Sequence, residues 1–251
     1  ANAALAQAKD AGVKDEILSQ LEIKSPAAPQ ADVHMPIENL IDKAIEFREN
    51  GRFDEAIDLL KEGVIKSPKD PHLLSLLSHC YMLVNNIEEA STNLLKAKEI
   101  DPSIASIGWN ETRLLIKQKK VQEALVIAQK TNKLFPNDGE GIGVLGSCLR
   151  ANGNLDEGLK YLNKAIELNP SYTEALINRG LIKITQDDKE SALSDLEKAH
   201  HQKPHITKIW HLILNLKMEI KDFEDIIPLA EKMVKLDPLD HKIIANIAVC
   251  Y

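Results

Sequence analysis

The sequence predicts an all-α solenoid of antiparallel helix pairs, on three observations. Pro68, Pro102, Pro136, Pro170, Pro204 and Pro238 stand 34 residues apart without a slip, and small residues recur at two fixed places in the same period. The composition is 44% apolar, 4% aromatic and 27% charged, which suits helices rich in Leu, Ile and Ala with one wet face. A period of 34 residues marks a helical array. Proline lacks an N–H and its ring collides with the preceding turn, so each of the six ends a helix at the same structural joint.

With the proline at position 32, the units run 37–70, 71–104, 105–138, 139–172, 173–206 and 207–240, and a partial seventh covers 241–251. Position 8 reads Ala44, Ser78, Thr112, Gly146, Gly180, Leu214 and Ala248, small in all but one unit. Position 20 reads Ala56, Ala90, Ala124, Gly158, Ala192 and Ile226. Small residues at two fixed places let two helices approach closely, and apolar residues elsewhere in the unit fill the gaps between them. Between the two helices lie Asn50-Gly51-Arg52, Asn85-Asn86, Asn152-Gly153-Asn154 and Asp187-Asp188. Gly or Asn there supplies the left-handed residue that ends a helix. Two units depart from the pattern: the third has Gly108 where a bulky core residue belongs, and the sixth has Leu214, Ile226 and Met233 where small residues are usual. The helices of the sixth pair are therefore expected to pack further apart.

In phase, small positions and proline, residues 37–251 resemble the tetratricopeptide repeat family. The fourth unit matches best, with Gly146, the Ala151-Asn152-Gly153-Asn154 turn, Leu162, Ala165, Leu168 and Pro170. The resemblance implies a right-handed superhelix whose first helices line a concave groove. It also implies a non-catalytic protein-interaction scaffold that takes a peptide or partner segment in that groove.

If positions 4, 8 and 11 of the first helix face the core, helical periodicity puts positions 2, 5, 6, 9, 12 and 13 on the groove. The candidate contact residues there are Trp109, Asn110, Arg113, Ser147, Arg150, Asn178, Lys208, His211, Asn215 and Asn246. Asn110, Asn178 and Asn246 share position 6 on alternate repeats. An amide donates and accepts, so a spaced row of them suits an extended peptide backbone, although shared ancestry accounts for the row equally well. Trp109, at position 5, either stands exposed as a contact point or folds inward to fill the space left by Gly108. Arg113, Lys117, Arg150 and Lys208 make the groove less acidic than the chain, against Glu140, Glu174 and Glu219. A subset of the family holds a C-terminal carboxylate with five specific residues. The nearest window here reads Gly143, Ser147, Asn178, Lys208 and Leu212, of which two match, so that clamp is not expected.

Several function classes are disfavoured. A formal charge of −7, from 31 Lys and Arg against 38 Asp and Glu, offers no basic field for nucleic acid. No apolar run approaches the ~20 residues that span a bilayer. Gly141-Ile142-Gly143-Val144-Leu145-Gly146 fits a dinucleotide fingerprint, but that motif works where a strand turns into a helix. Here it sits inside a predicted helix, which its glycines are expected to soften. His200, His201, His205 and His211 straddle the Pro204 joint without i, i+4 spacing in one helix, so they read as solvated loop residues and not as a metal site. Cys80, Cys148 and Cys250 occupy one position in non-adjacent units, too far apart for disulfides, and read as small buried hydrophobes. No cofactor is expected.

Residues 1–36 lie outside the period. Val13, Ile17, Leu18 and Leu21 predict a short amphipathic helix that docks on the first repeat or on another molecule, followed by a Pro/Ala linker. The start lacks a secretion signal, and a cytoplasmic location is expected. The seventh unit stops after one helix with little polar surface, which predicts that the natural polypeptide continues. Two other readings therefore accompany the scaffold: the recognition arm of a larger enzyme such as a glycosyl- or sulfotransferase, and self-assembly into a homo-oligomer through the terminal helices.

Overall fold

A computed structural model describes residues 36–220, together with Ile226 and Pro228. The chain divides into two units, Ala1–Pro36 and Ile37–Tyr251, and the helices described belong to the second. The first helices of successive repeats are α1 (Ile37–Glu49), α3 (Pro71–Leu83), α5 (Ala105–Lys117), α7 (Gly139–Ala151), α9 (Thr173–Thr185) and α11 (Thr207–Glu219). Their partners are α2 (Phe53–Lys66), α4 (Ile87–Ile100), α6 (Val121–Leu134), α8 (Leu155–Leu168) and α10 (Lys189–Gln202). Every first helix has 13 residues and every second helix 14. The described residues form an all-α solenoid with no strand among them.

One turn geometry joins each pair. Position 15 is left-handed five times: Gly51 (φ 76°), Asn85 (61°), Lys119 (63°), Gly153 (86°) and Asp187 (62°). The N–H of the following residue reaches back five residues, as in Arg52 to Phe47 O (2.8 Å) and Asn154 to Leu149 O (2.9 Å), which satisfies a carbonyl at the helix end. Sequence reasoning found four of these turns and missed Lys119, whose side chain gives no local signal for a conformation that costs about 1 kcal/mol. At the proline joints the residue before proline caps the outgoing helix, as Ser67 N–H does on Gly63 O (2.8 Å). Asp70 then caps α3 by accepting from the N–H groups of His72 (2.9 Å) and Leu73 (3.2 Å). Pro71 follows in the first turn, where a missing N–H costs nothing.

Positions 8 and 20 meet within each pair. Ala44, Ala56, Ser78, Ala90, Thr112, Ala124 and Ala192 are wholly buried, and Ser78 Oγ donates to Ala90 O across the seam (2.8 Å). The partner of α11 falls outside the described residues apart from Ile226 and Pro228, and so does the expected splaying of the sixth pair. The N-terminal helix and linker, Asn246, Cys250 and the partial seventh unit also lie outside them. Cys80 and Cys148 are buried with free thiols, which burial pushes up to about 11. Among the described residues no helix is long and apolar enough to cross a membrane.

The glycine-rich segment lies in an unbroken α7, where Gly141 through Leu149 are all buried. Its glycines make room for neighbours. A Cβ on Gly141 would stand 2.2 Å from the Trp109 indole, and one on Gly143 would stand 2.2 Å from the Tyr172 ring. The fingerprint is a packing feature.

Candidate functional site

Trp109 must be corrected as an exposed contact. It is 2% exposed, packed among Ala124, Ala128, Val144, Leu145, Cys148 and Leu149. Its indole occupies the hole over Gly141, and its Nε1–H donates to Asp138 Oδ2 (2.8 Å). The space at Gly108 is filled instead by Thr131, whose Oγ1 would lie 2.4 Å from a Cβ there. In both exchanges a smaller residue at one position sits beside a larger one at another. Position 3 reads Asn39, Leu73, Ile107, Gly141, Ala175 and Ile209, and position 27 reads Gly63, Ala97, Thr131, Ala165, Ala199 and Met233. That complementarity was the signal available in the sequence.

The amide row is corrected too. Asn110 is buried and donates to Ser75 O and Ser75 Oγ (both 3.0 Å), while its Oδ1 accepts from Arg113 (3.3 Å). Asn178 donates to Glu174 O (2.8 Å) and accepts from Arg150 Nε (2.8 Å). Ser147 Oγ is buried and back-bonded to Gly143 O (2.9 Å). These groups tie the first helices of successive repeats together or satisfy their own helix. Their hydrogen-bonding capacity is largely spent inside the fold.

Arg113 lines a cavity of about 630 Å³ whose lining comes from the first repeat through the joint after the fifth, including Arg48, His79, Tyr172, Glu174 and Lys203. Asn178 also lines this cavity, whereas Trp109 and Asn110 edge an adjoining recess of about 130 Å³. Ser147, Arg150, Lys208, His211 and Asn215 line neither, and Lys208 and Asn215 are exposed.

The Arg113 side chain is 12% exposed, and its Nη2 donates to Glu140 Oε1 (2.7 Å), Glu174 Oε2 (3.2 Å) and Tyr172 OH (3.4 Å). Its Nε is buried with no acceptor. Burial disfavours its charge, but Glu174, Tyr172 and Glu140 outweigh that and hold the guanidinium above its ordinary pKa. Burial, with the charge of Glu174 next, pushes the Tyr172 phenol well up.

Beside this cluster His79 is driven well below its usual value, first by burial and then by Arg113, Arg48, Lys203 and Lys117. The charged side chains of the lining are balanced, with Arg48, Arg113 and Lys203 against Glu49, Glu140 and Glu174. The carboxylates bound by Arg113 are more exposed than it is, Glu140 at 56% and Glu174 at 38% against 12%. Sequence reasoning passed over Arg48 and His79 although they occupy groove positions 12 and 9, and it missed Tyr172 and Lys203, which lie in joints between helices and reach the cavity through the curvature of the solenoid.

Two of the four clustered histidines serve in packing: His200 meets the Trp210 ring edge-on (4.1 Å), and His205 meets Phe53 (6.2 Å). Among the described residues no group of three or more His, Cys, Asp or Glu is placed to hold a metal.

The fold and its concave cavity define a helical-repeat solenoid, and comparison with known proteins gives the class its family. Tetratricopeptide repeat family models match residues 47–105 and 140–172. The chain is a tetratricopeptide repeat protein. It is similar to Hsp70-Hsp90 organizing protein 1 of Glycine max, with 24% identity over 153 residues, covering 61% of this chain and 25% of that protein. It is also similar to the UDP-N-acetylglucosamine–peptide N-acetylglucosaminyltransferase of Giardia intestinalis, with 32% identity over 85 residues, covering 34% of this chain and 6% of that protein. The chain spans about a quarter of the length of the first curated relatives it matches. Among solved structures, the anaphase-promoting complex hetero-tetramer Cut9-Hcn1 shares the fold, with a TM-score of 0.67 and 18% identity, covering 83% of this chain and 41% of that one.

Proposed function

We propose that the chain is a non-catalytic protein-interaction scaffold whose concave cavity binds a peptide segment carrying an acidic side chain. The observation that carries this reading is the Arg113 guanidinium in the cavity wall, 12% exposed, whose Nη2 already holds the carboxylates of Glu140 and Glu174. Glu140 and Glu174 can swing into water at little cost because they are half-exposed, whereas Arg113 cannot follow them. A ligand carboxylate can then replace them on a cation that is already in position. Arg48 and Lys203 also line the cavity, where both pair with Glu49. An extended pentapeptide spans at most about 18 Å.

The test is fluorescence anisotropy with three fluorescein-tagged pentapeptides, alanine-based, with a central Glu, Gln or Lys. Binding in the order Glu, Gln, Lys, with the Glu preference lost in a still-helical Arg113→Ala variant, is the expected result. Equal binding of all three overturns the acidic reading.

A second reading, that these repeats form the recognition arm of a larger enzyme, is supported by the match to the Giardia transferase. It uses the same cavity, and transferase activity that co-purifies with the natural polypeptide would distinguish it.

A further inference from the structure

Stacked repeats ordinarily touch only their neighbours. Here the turn after α1 meets the joint after α10, residues 154 apart in sequence. Lys203 Nζ pairs with the Glu49 carboxylate, and His205 meets the Phe53 ring edge-on at 6.2 Å and 73°. Gly51 lies so close beneath His205 that an added Cβ would stand 2.5 Å from its Cδ2. The same residues wall the cavity: Arg48, Glu49 and Phe53 from one side, Lys203, His205 and Ile206 from the other.

We propose that these two segments form a latch that closes the concave cavity, and that release of Glu49 from Lys203 regulates entry of the ligand. The regulatory part rests on the cavity being the peptide site, as proposed above. Three features give the latch its character. Its ion pair is part-exposed, 29% at Lys203 and 44% at Glu49, so water competes for both partners. Its ring contact is a single edge. Opening it therefore breaks none of the buried seams between adjacent repeats, while separating the two segments removes one wall of the cavity. Arg48 also pairs with Glu49 (2.8 Å), so the carboxylate released by Lys203 keeps a partner on its own side.

Two readouts on the full chain test this in a Cys250→Ser background, in which Cys80 and Cys148 are buried and resist labelling. The first is the electron-spin distance between labels at Asp58→Cys and Lys198→Cys, both exposed positions flanking the latch. A short, narrow distribution is expected for the parent, and a longer, broader one for Glu49→Lys, with return to the parent form in the charge swap Glu49→Lys/Lys203→Glu. The second is the rate at which a polyethylene-glycol maleimide alkylates Ile177→Cys, a half-buried lining position. Glu49→Lys should raise that rate about fivefold, the scale of one part-exposed ion pair, and the swap should restore it. Distances or alkylation rates that do not differ between parent and Glu49→Lys overturn the latch, and a folded swap that fails to restore either one overturns the role of the ion pair. Failure of every form to bind the acidic pentapeptide would sink the functional reading alone, because neither readout requires a ligand.

Discussion

The solenoid has two kinds of junction, and they are built from opposite materials. Between repeats three and four, Trp109 drops into the hole over Gly141 and is wholly enclosed, with its one polar atom bonded to Asp138. Between repeats one and five, a half-exposed ion pair and a ring edge close the concave side. The first junction gains from removing a large aromatic from water. The second gains little, because exposed charges trade partners with solvent at nearly equal free energy. Stability and access are thus assigned to different places, and mutations should separate them.

The largest expected effect is on the buried junction. Trp109→Ala should cost about 3–5 kcal/mol in urea denaturation, through lost burial and the cavity left behind. It should also expose the next helix, so that amides of α7 lose hydrogen-exchange protection before those of α3. A loss below about 1 kcal/mol would mean that the indole is not the fastener described. Gly141→Ala should cost less, about 1–3 kcal/mol, because its Cβ meets the indole at 2.2 Å and the ring must shift within a packed interior.

A matched pair of glycines isolates the other junction. Gly51 and Gly153 occupy the same position in the repeat with similar φ, 76° and 86°, so alanine at either should cost about 1 kcal/mol for the left-handed conformation. Gly153 has nothing within 4 Å of an added Cβ, whereas Gly51 faces His205. Both variants should lose similar stability, but Gly51→Ala alone should lengthen the distance across the latch. Equal distances in the two would show that His205 does not bear on Gly51.

Acidification should act on the same contact. Burial, then Lys203, lowers the His205 pKa, with Glu49 opposing in part; a depressed histidine favours closure above the ordinary value near 6.5 and loses that contribution as pH falls. Burial raises the Glu49 carboxyl, but hydrogen bonds and charge from Lys203 and Arg48 outweigh it and lower its pKa, so its contribution persists above about 4.5 and fades below. Both groups favour opening in acid. The spin-label distance should lengthen modestly from pH 7.5 to 5.5 and further towards pH 4, and His205→Gln should remove the first step. A distance that shortened on acidification would reverse this assignment.

How much of this was legible in the sequence follows from the range of each interaction. Prolines, small positions and turns act within one unit, so the helix pairs could be read directly from Pro68 through Pro204 and from Ala56 through Ala192. Contacts between neighbouring units were legible in principle, since Gly141 and Trp109 compensate in volume, but the face assigned to Trp109 from helical periodicity alone was wrong. Periodicity gives a direction from the helix axis and does not say whether the next repeat leaves a hole there. Asn110 and Asn178 fell on the expected face, yet periodicity could not reveal that Ser75 and Arg150 already hold them. Arg48 and His79 occupy groove positions 12 and 9 and were legible by the rule that picked Arg113, whereas the approach of Lys203 to them depends on curvature accumulated over five repeats.

The central claim, that Arg113 in the cavity recognises a carboxylate, is tested most directly by a double-mutant cycle. Calorimetric titrations would pair the wild-type chain and Arg113→Ala with the pentapeptides carrying a central Glu or Gln. The account predicts a coupling of about 1.5–3 kcal/mol, the range for a hydrogen bond to a charged group. Additive losses, with no coupling between residue and ligand charge, would contradict it.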